Sequence, residues 1–106
     1  MRLDNKSYVP TDSCELKLVK QQLMQLGLKQ FTLVDFGCGE GLVLSYLQGV
    51  CNRLVGVEIN KQSAAKARRA LTDRLDIEIV ADSILNYQFD NTPTVLYMFE
   101  PLWLLK

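Results

Sequence analysis

Phe31-Thr32-Leu33-Val34-Asp35-Phe36 runs without a break into Gly37-Cys38-Gly39-Glu40-Gly41, and this passage decides the fold. The first six residues are apolar, β-branched or aromatic apart from one aspartate, the composition of a short buried strand. Three glycines then turn the chain sharply, and Leu42 to Leu47 continues as a helix whose first turn is the glycine-rich segment itself. A strand that passes through a tight turn into a helix is the opening of an α/β unit.

The pattern repeats on either side of that passage. Upstream, Asp12 followed three residues later by Glu15 has the spacing of a capping box, and it predicts a first helix over 12–27. Leu16, Val19, Leu23 and Leu26 share one face of it, and Gly27 suits its C-terminal cap. Downstream, Arg53 to Glu58 reads as a second strand, and Asn60 can cap a helix from Lys61 to about Asp73. Asp76 to Val80 is a third strand and Thr94 to Phe99 a fourth, the latter too uniformly apolar for a surface position. Between them Asn86, Asp90, Asn91 and Pro93 form turns, with one helical turn at Ile84-Leu85. Alternating strands and helices predict one domain over 1–106, built on a mostly parallel sheet with right-handed crossovers.

Composition narrows the chemistry. The chain has 106 residues, too few for a second core, with 48% hydrophobic and 23% charged residues, as ordinary globular domains have. Twelve basic and twelve acidic side chains cancel, so no strong positive field indicates a nucleic-acid partner. No histidine is present, which excludes HExxH zinc sites, Ser-His triads and Cys-His pairs together. Cys14, Cys38 and Cys51 lack CxxC spacing and are odd in number, so a reducing cytoplasm fits them better than a disulfide framework. Neither a signal peptide nor a bilayer-spanning apolar run is apparent, and no membrane role is expected.

In open α/β sheets ligands bind beyond the carboxyl ends of the strands. Those ends are Asp35 to Gly41, Glu58-Ile59, Asp82-Ser83 and Phe99-Glu100-Pro101, and each carries an acid. The missing side chains of Gly37, Gly39 and Gly41 let backbone N–H groups approach a ligand, and the helix dipole behind them favours an anionic group. A dinucleotide is the obvious competitor, but Leu42 stands where the third glycine of GxGxxG belongs. Asp35 and Glu40 also crowd the loop with negative charge, which a pyrophosphate resists and a cationic ligand welcomes. No Walker loop occurs.

Val34-Asp35-Phe36-Gly37-Cys38-Gly39-Glu40-Gly41 resembles the first motif, D-x-G-x-G-x-G, of the class I S-adenosylmethionine (SAM) dependent methyltransferases. The resemblance implies a three-layer Rossmann-like open sheet in the order 3-2-1-4 with flanking helices. It also implies SAM as cofactor, S-adenosyl-L-homocysteine as product, and methyl transfer to a nitrogen or oxygen acceptor that the sequence does not name. Asp35, Gly37, Cys38, Gly39 and Gly41 would then hold the methionine portion. Glu58 would accept the ribose hydroxyls, Ile59 would pack on the adenine, and Asp82 with Ser83 would meet its amino group. Phe99 would line the site, and Glu100 would act as the base. For Glu58 the plain alternative is a solvated strand-end carboxylate, for Asp82 a turn former, and for Glu100 a polar residue ending a strand before proline.

Tyr8-Val9-Pro10-Thr11 is similar to the Pro-Thr segment that some of these enzymes fold over the cofactor, which makes 1–11 a separate leading segment; Pro-Thr-Asp is also a good helix start. Lys66, Arg68, Arg69 and Arg74 read as a solvated helix face. Domains of this family usually continue through a fifth to a seventh strand, so the resemblance implies a shortened domain whose fourth strand is an apolar edge. A homodimer or a partner chain covering that edge is one expectation. A SAM-binding or interaction module without chemistry of its own is the alternative function.

Overall fold

The computed structural model describes residues 13–27 and 30–98. The segment 1–11, the Asp12 cap, Phe99 and Glu100 lie outside the described residues. In chain order the elements are α1 (Ser13–Gln25), β1 (Thr32–Phe36), α2 (Leu42–Tyr46), β2 (Arg53–Val57), α3 (Lys61–Ala70), β3 (Ile77–Val80), a 3-10 turn (Ile84–Asn86) and β4 (Thr94–Met98). All four strands run parallel in the order β3-β2-β1-β4. The α3 helix stops at Ala70, short of Asp73, and beyond its end the Thr72 hydroxyl donates to the carbonyls of Arg68 (2.8 Å) and Arg69 (3.1 Å).

Strand alternation divides the core in two. Leu33 and Leu54 turn toward the helices, joining Leu16 and Leu23 of α1, Leu44 of α2, and Ala64 and Ala67 of α3 in the larger cluster. Val34, Val55 and Val57 turn the other way, where Phe36, Val80, Ile84 and Tyr87 pack against them. The layers are thus three helices, the sheet, and the β3-to-β4 crossover with its single 3-10 turn. Phe36 of β1 meets Tyr87 and Phe89 of that crossover in an aromatic trio with ring centroids 5.1 to 6.1 Å apart. Arg53 pins the same layer, donating to Glu78 at 2.8 Å and to Asp90 at 3.1 Å.

The family order makes the fourth strand an edge, as the structure has it, and only the reading that its residues are too apolar for a surface position is corrected. Among the described residues β4 pairs only with β1 and forms an edge. Val95 and Tyr97 pack on the helix-side cluster, whereas Leu96 is exposed. Apolar composition reports which faces are covered, not where in the sheet a strand lies.

Gly56 sits beside Asp35 in the β1–β2 register, on the face covered by α2. A Cβ there would lie 2.6 Å from Leu44 Cδ1 and 2.7 Å from Cys38 Sγ, so the turn after β1 rests directly on the backbone of β2. Gly56→Ala should therefore cost about 1–3 kcal/mol, the usual range for overpacking. Urea denaturation reads this, and an unchanged unfolding midpoint would show that the contact is not tight.

Candidate cofactor-binding site

Parallel pairing brings the ends of β1, β2 and β3 to one edge of the sheet. Asp35 is the innermost acid there. It is 2% exposed, with Gly56 on one side and Tyr97 on the other as register partners. Burial pushes its carboxyl up to about 7, and the charge of Glu58 adds to the shift.

The loop beyond it is stitched from inside. Gly37 and Cys38 both donate to the Val57 carbonyl, at 2.7 and 3.2 Å, and Gly41 donates to Cys38 O at 3.0 Å. Gly39 donates to Glu58 Oε1 at 2.8 Å. Four loop amides are therefore already engaged, and they are not the free anion-binding donors that the glycine pattern suggests. What remains open is the backbone at Gly37, beside a turn that the carboxyls of Asp35 and Glu58 approach. At Gly37, with φ +82°, nothing lies within 4 Å of where a Cβ would point. Gly41 serves packing instead, since at φ +92° its Cβ would meet Leu71 Cδ1 at 2.9 Å.

Glu58 is half-buried and bridges two segments, because its Oε2 accepts from Asn60 N at 2.9 Å. Asn60 in turn caps α3, accepting from Ser63 N at 2.9 Å, as the sequence predicts. Cys38 is buried against Gly56. Burial first, then the charges of Asp35 and Glu58, push its thiol far up, so it fills space as a protonated packing group.

Ile59 stands 67% exposed beside Glu58. Asp82 and Ser83 follow β3 at the same edge, but both are engaged in turn formation. Asp82 Oδ1 accepts from Ser83 N (2.6 Å) and from Asn86 Nδ2 (2.9 Å), and these bonds hold its carboxyl below the usual range, the Asn86 bond more than the Ser83 one. Ser83 Oγ caps the 3-10 turn through Leu85 N at 3.1 Å.

The basic side chains on and after α3 are surface groups with local partners. Lys66 reaches Glu40 of the loop at 3.7 Å, Arg68 donates to Ile79 O at 3.0 Å, and Arg74 donates to Gln48. The link from Lys66 to the loop had no signal in the sequence, because 26 residues separate the pair. Among the described residues no cluster could hold a metal ion, and no helix is long and apolar enough to cross a membrane.

The buried carboxyl has a thermodynamic consequence. Folded Asp35 keeps its proton up to about pH 7, whereas the unfolded chain releases it near 3.8, so stability falls as pH rises through that interval. Asp35→Asn should remove this loss and raise stability at pH 8 by on the order of 2–4 kcal/mol. Thermal melts of both proteins across pH check this, and parallel curves would contradict it.

A family model described as a methyltransferase domain matches residues 33–105. The ribosomal protein L11 methyltransferase of Tolumonas auensis is 35% identical over 79 residues, covering 69% of this chain and 27% of that protein. The chain thus spans about a quarter of this curated relative's length. Among solved structures, the 23S rRNA methyltransferase ErmE aligns with a TM-score of 0.72 at 18% identity, over 89% of this chain and 39% of the other. A SAM-dependent methyltransferase from Thiobacillus denitrificans, solved with S-adenosyl-L-homocysteine, aligns at 0.68 and 16% identity, over 94% and 41%. At such identities these two likenesses concern the fold alone. On the match across most of its length, and with the β3-β2-β1-β4 sheet beneath it, the chain belongs to the class I SAM-dependent methyltransferases, whose cofactor is S-adenosyl-L-methionine.

Proposed function

We propose that this chain binds SAM along the carboxyl ends of β1, β2 and β3 and serves methyl transfer to a nitrogen or oxygen acceptor, releasing S-adenosyl-L-homocysteine. The observation that carries this reading is the convergence of two carboxylates, Asp35 and Glu58, on a glycine loop whose amides are already engaged. Such a site suits a ligand with positive charge and no phosphate. SAM, with its ammonium and sulfonium groups, fits that description.

When bound, SAM supplies an electrophilic methyl group on its sulfonium. The chain's own residues do the holding. Gly37 offers open backbone for the methionine portion, Cys38, Gly39 and Gly41 pack behind it to hold the turn, and Asp35 supplies negative charge that a nearby cation would keep ionised. Each Glu58 oxygen accepts one backbone N–H and retains capacity for a ribose hydroxyl. Ile59 offers apolar surface to the adenine, and Asp82 and Ser83 stand where its polar edge would lie. By resemblance, Phe99 borders the transferred methyl; Glu100, which departs from the family's motif at that place, is the best-placed base to take the proton from a protonated acceptor. Direct displacement gains most from holding donor and acceptor in line, so positioning rather than acid strength sets the rate.

Titration calorimetry with S-adenosyl-L-homocysteine tests the reading. Glu58→Ala should weaken binding by roughly 10- to 100-fold, the loss of hydrogen bonds to a charged acceptor. Glu100→Ala should bind as the parent does but lose methyl transfer to amine, protein or RNA acceptors. A folded parent protein that shows no heat of binding would sink the proposal.

A further inference from the structure

Both oxygens of Glu58 accept backbone N–H groups, and one of these groups belongs to the glycine loop. Glu58 Oε1 holds the amide of Gly39, the middle glycine, which is buried at φ +57°. On either side of that residue the loop is tied to itself or to β2, with Gly37 and Cys38 on the Val57 carbonyl and Gly41 on Cys38. Among the described residues, Gly39 is the one loop amide that donates to a side chain. Among the described residues the other ties of a polar side chain to the loop are the Cys38 thiol to the Gly39 carbonyl, a weak bond at 3.7 Å, and Lys66 to Glu40, an ion pair 3.7 Å long and about half exposed at both ends. Exposed pairs of that kind contribute little, whereas an N–H donated to an ionised carboxylate is among the stronger hydrogen bonds. Through Oε2 and Asn60 the same carboxylate is anchored to the start of α3.

We propose that Glu58 is a positioning residue for the glycine loop, holding Gly39 in place before any ligand arrives, so that binding of the methionine portion depends on a side chain assigned to the ribose. This rests on the placement of SAM proposed above and deepens it. The two halves of the site are then one mechanical unit. Loss of the Glu58 carboxylate weakens the ribose contact and also frees the loop that shapes the opposite end.

Amide hydrogen exchange followed by NMR, on the ligand-free protein, tests the clasp directly. In Glu58→Ala the Gly39 amide should exchange at least roughly tenfold faster while the core amides of Val34 and Val55 keep their parental rates. Glu58→Gln, which retains an acceptor oxygen, should restore most of the protection. Unchanged exchange at Gly39 in Glu58→Ala, or acceleration only in step with Val34 and Val55, overturns the proposal.

A second measurement uses an S-adenosyl-L-homocysteine analogue lacking both ribose hydroxyls. If Glu58 acts only on those hydroxyls, Glu58→Ala leaves the analogue's affinity unchanged, which also overturns the clasp. If Glu58 holds the loop, affinity falls roughly tenfold. Should the parent protein bind neither compound, the SAM reading fails, while the exchange rates at Gly39 still decide the clasp.

Discussion

The turn after β1 closes because Gly56, on the neighbouring strand, has no side chain. Cys38 and Leu44 occupy the space a Cβ would need, and the loop amides of Gly37 and Cys38 reach the Val57 carbonyl one residue further on. Everything at the carboxyl edge inherits its position from this close approach. The α2 helix starts where the loop leaves it, and Gly41 lets the loop pack on Leu71 at the far end of α3. Glu58 comes within reach of Gly39 because β2 runs alongside the turn. A bulkier residue at Gly56 would push the loop away from both its partners.

Electrostatically the site is held in an unfavourable state. Asp35 is buried with Glu58 near it, and the fold answers by keeping the Asp35 proton to higher pH. A carboxyl placed so has no use in stability. Its burial makes sense if a cationic group is to be received above it, where low dielectric strengthens the attraction. The same burial keeps Cys38 in its thiol form, so the sulfur between the two acids contributes volume and not reactivity.

The two sides of the sheet are finished differently. At β3 the Arg68 guanidinium covers the Ile79 carbonyl, and Glu78 is paired with Arg53. At β4, Thr94 to Met98 has no charged residue, and Leu96 faces outward. Charges that blunt an edge strand are thus present on one side and missing from the other among the described residues. The crossover face is likewise thinner than the helix face, resting on Ile84, Tyr87 and the Arg53 network.

Much of this architecture was legible in local patterns. Strand runs of β-branched residues, the glycine turn after Phe36 and the Asn60 cap each act over a few residues, and physical chemistry over that range is written in the sequence itself. The edge place of β4 followed from the family order, whereas the reading of its residues as too apolar for a surface position failed, since Leu96 is exposed. Glycine spacing also suggested free loop amides. The structure spends them on Val57, Cys38 and Glu58, partners that in two of the three cases lie some twenty residues away in the chain. The sequence by itself therefore determined the elements, their order and the acids that end the strands. Only the tertiary structure decided which amides were taken, that exposed Asp82 accepts from its own turn, and that Glu58 accepts from Gly39, because hydrogen-bond partners across strands depend on register and close approach.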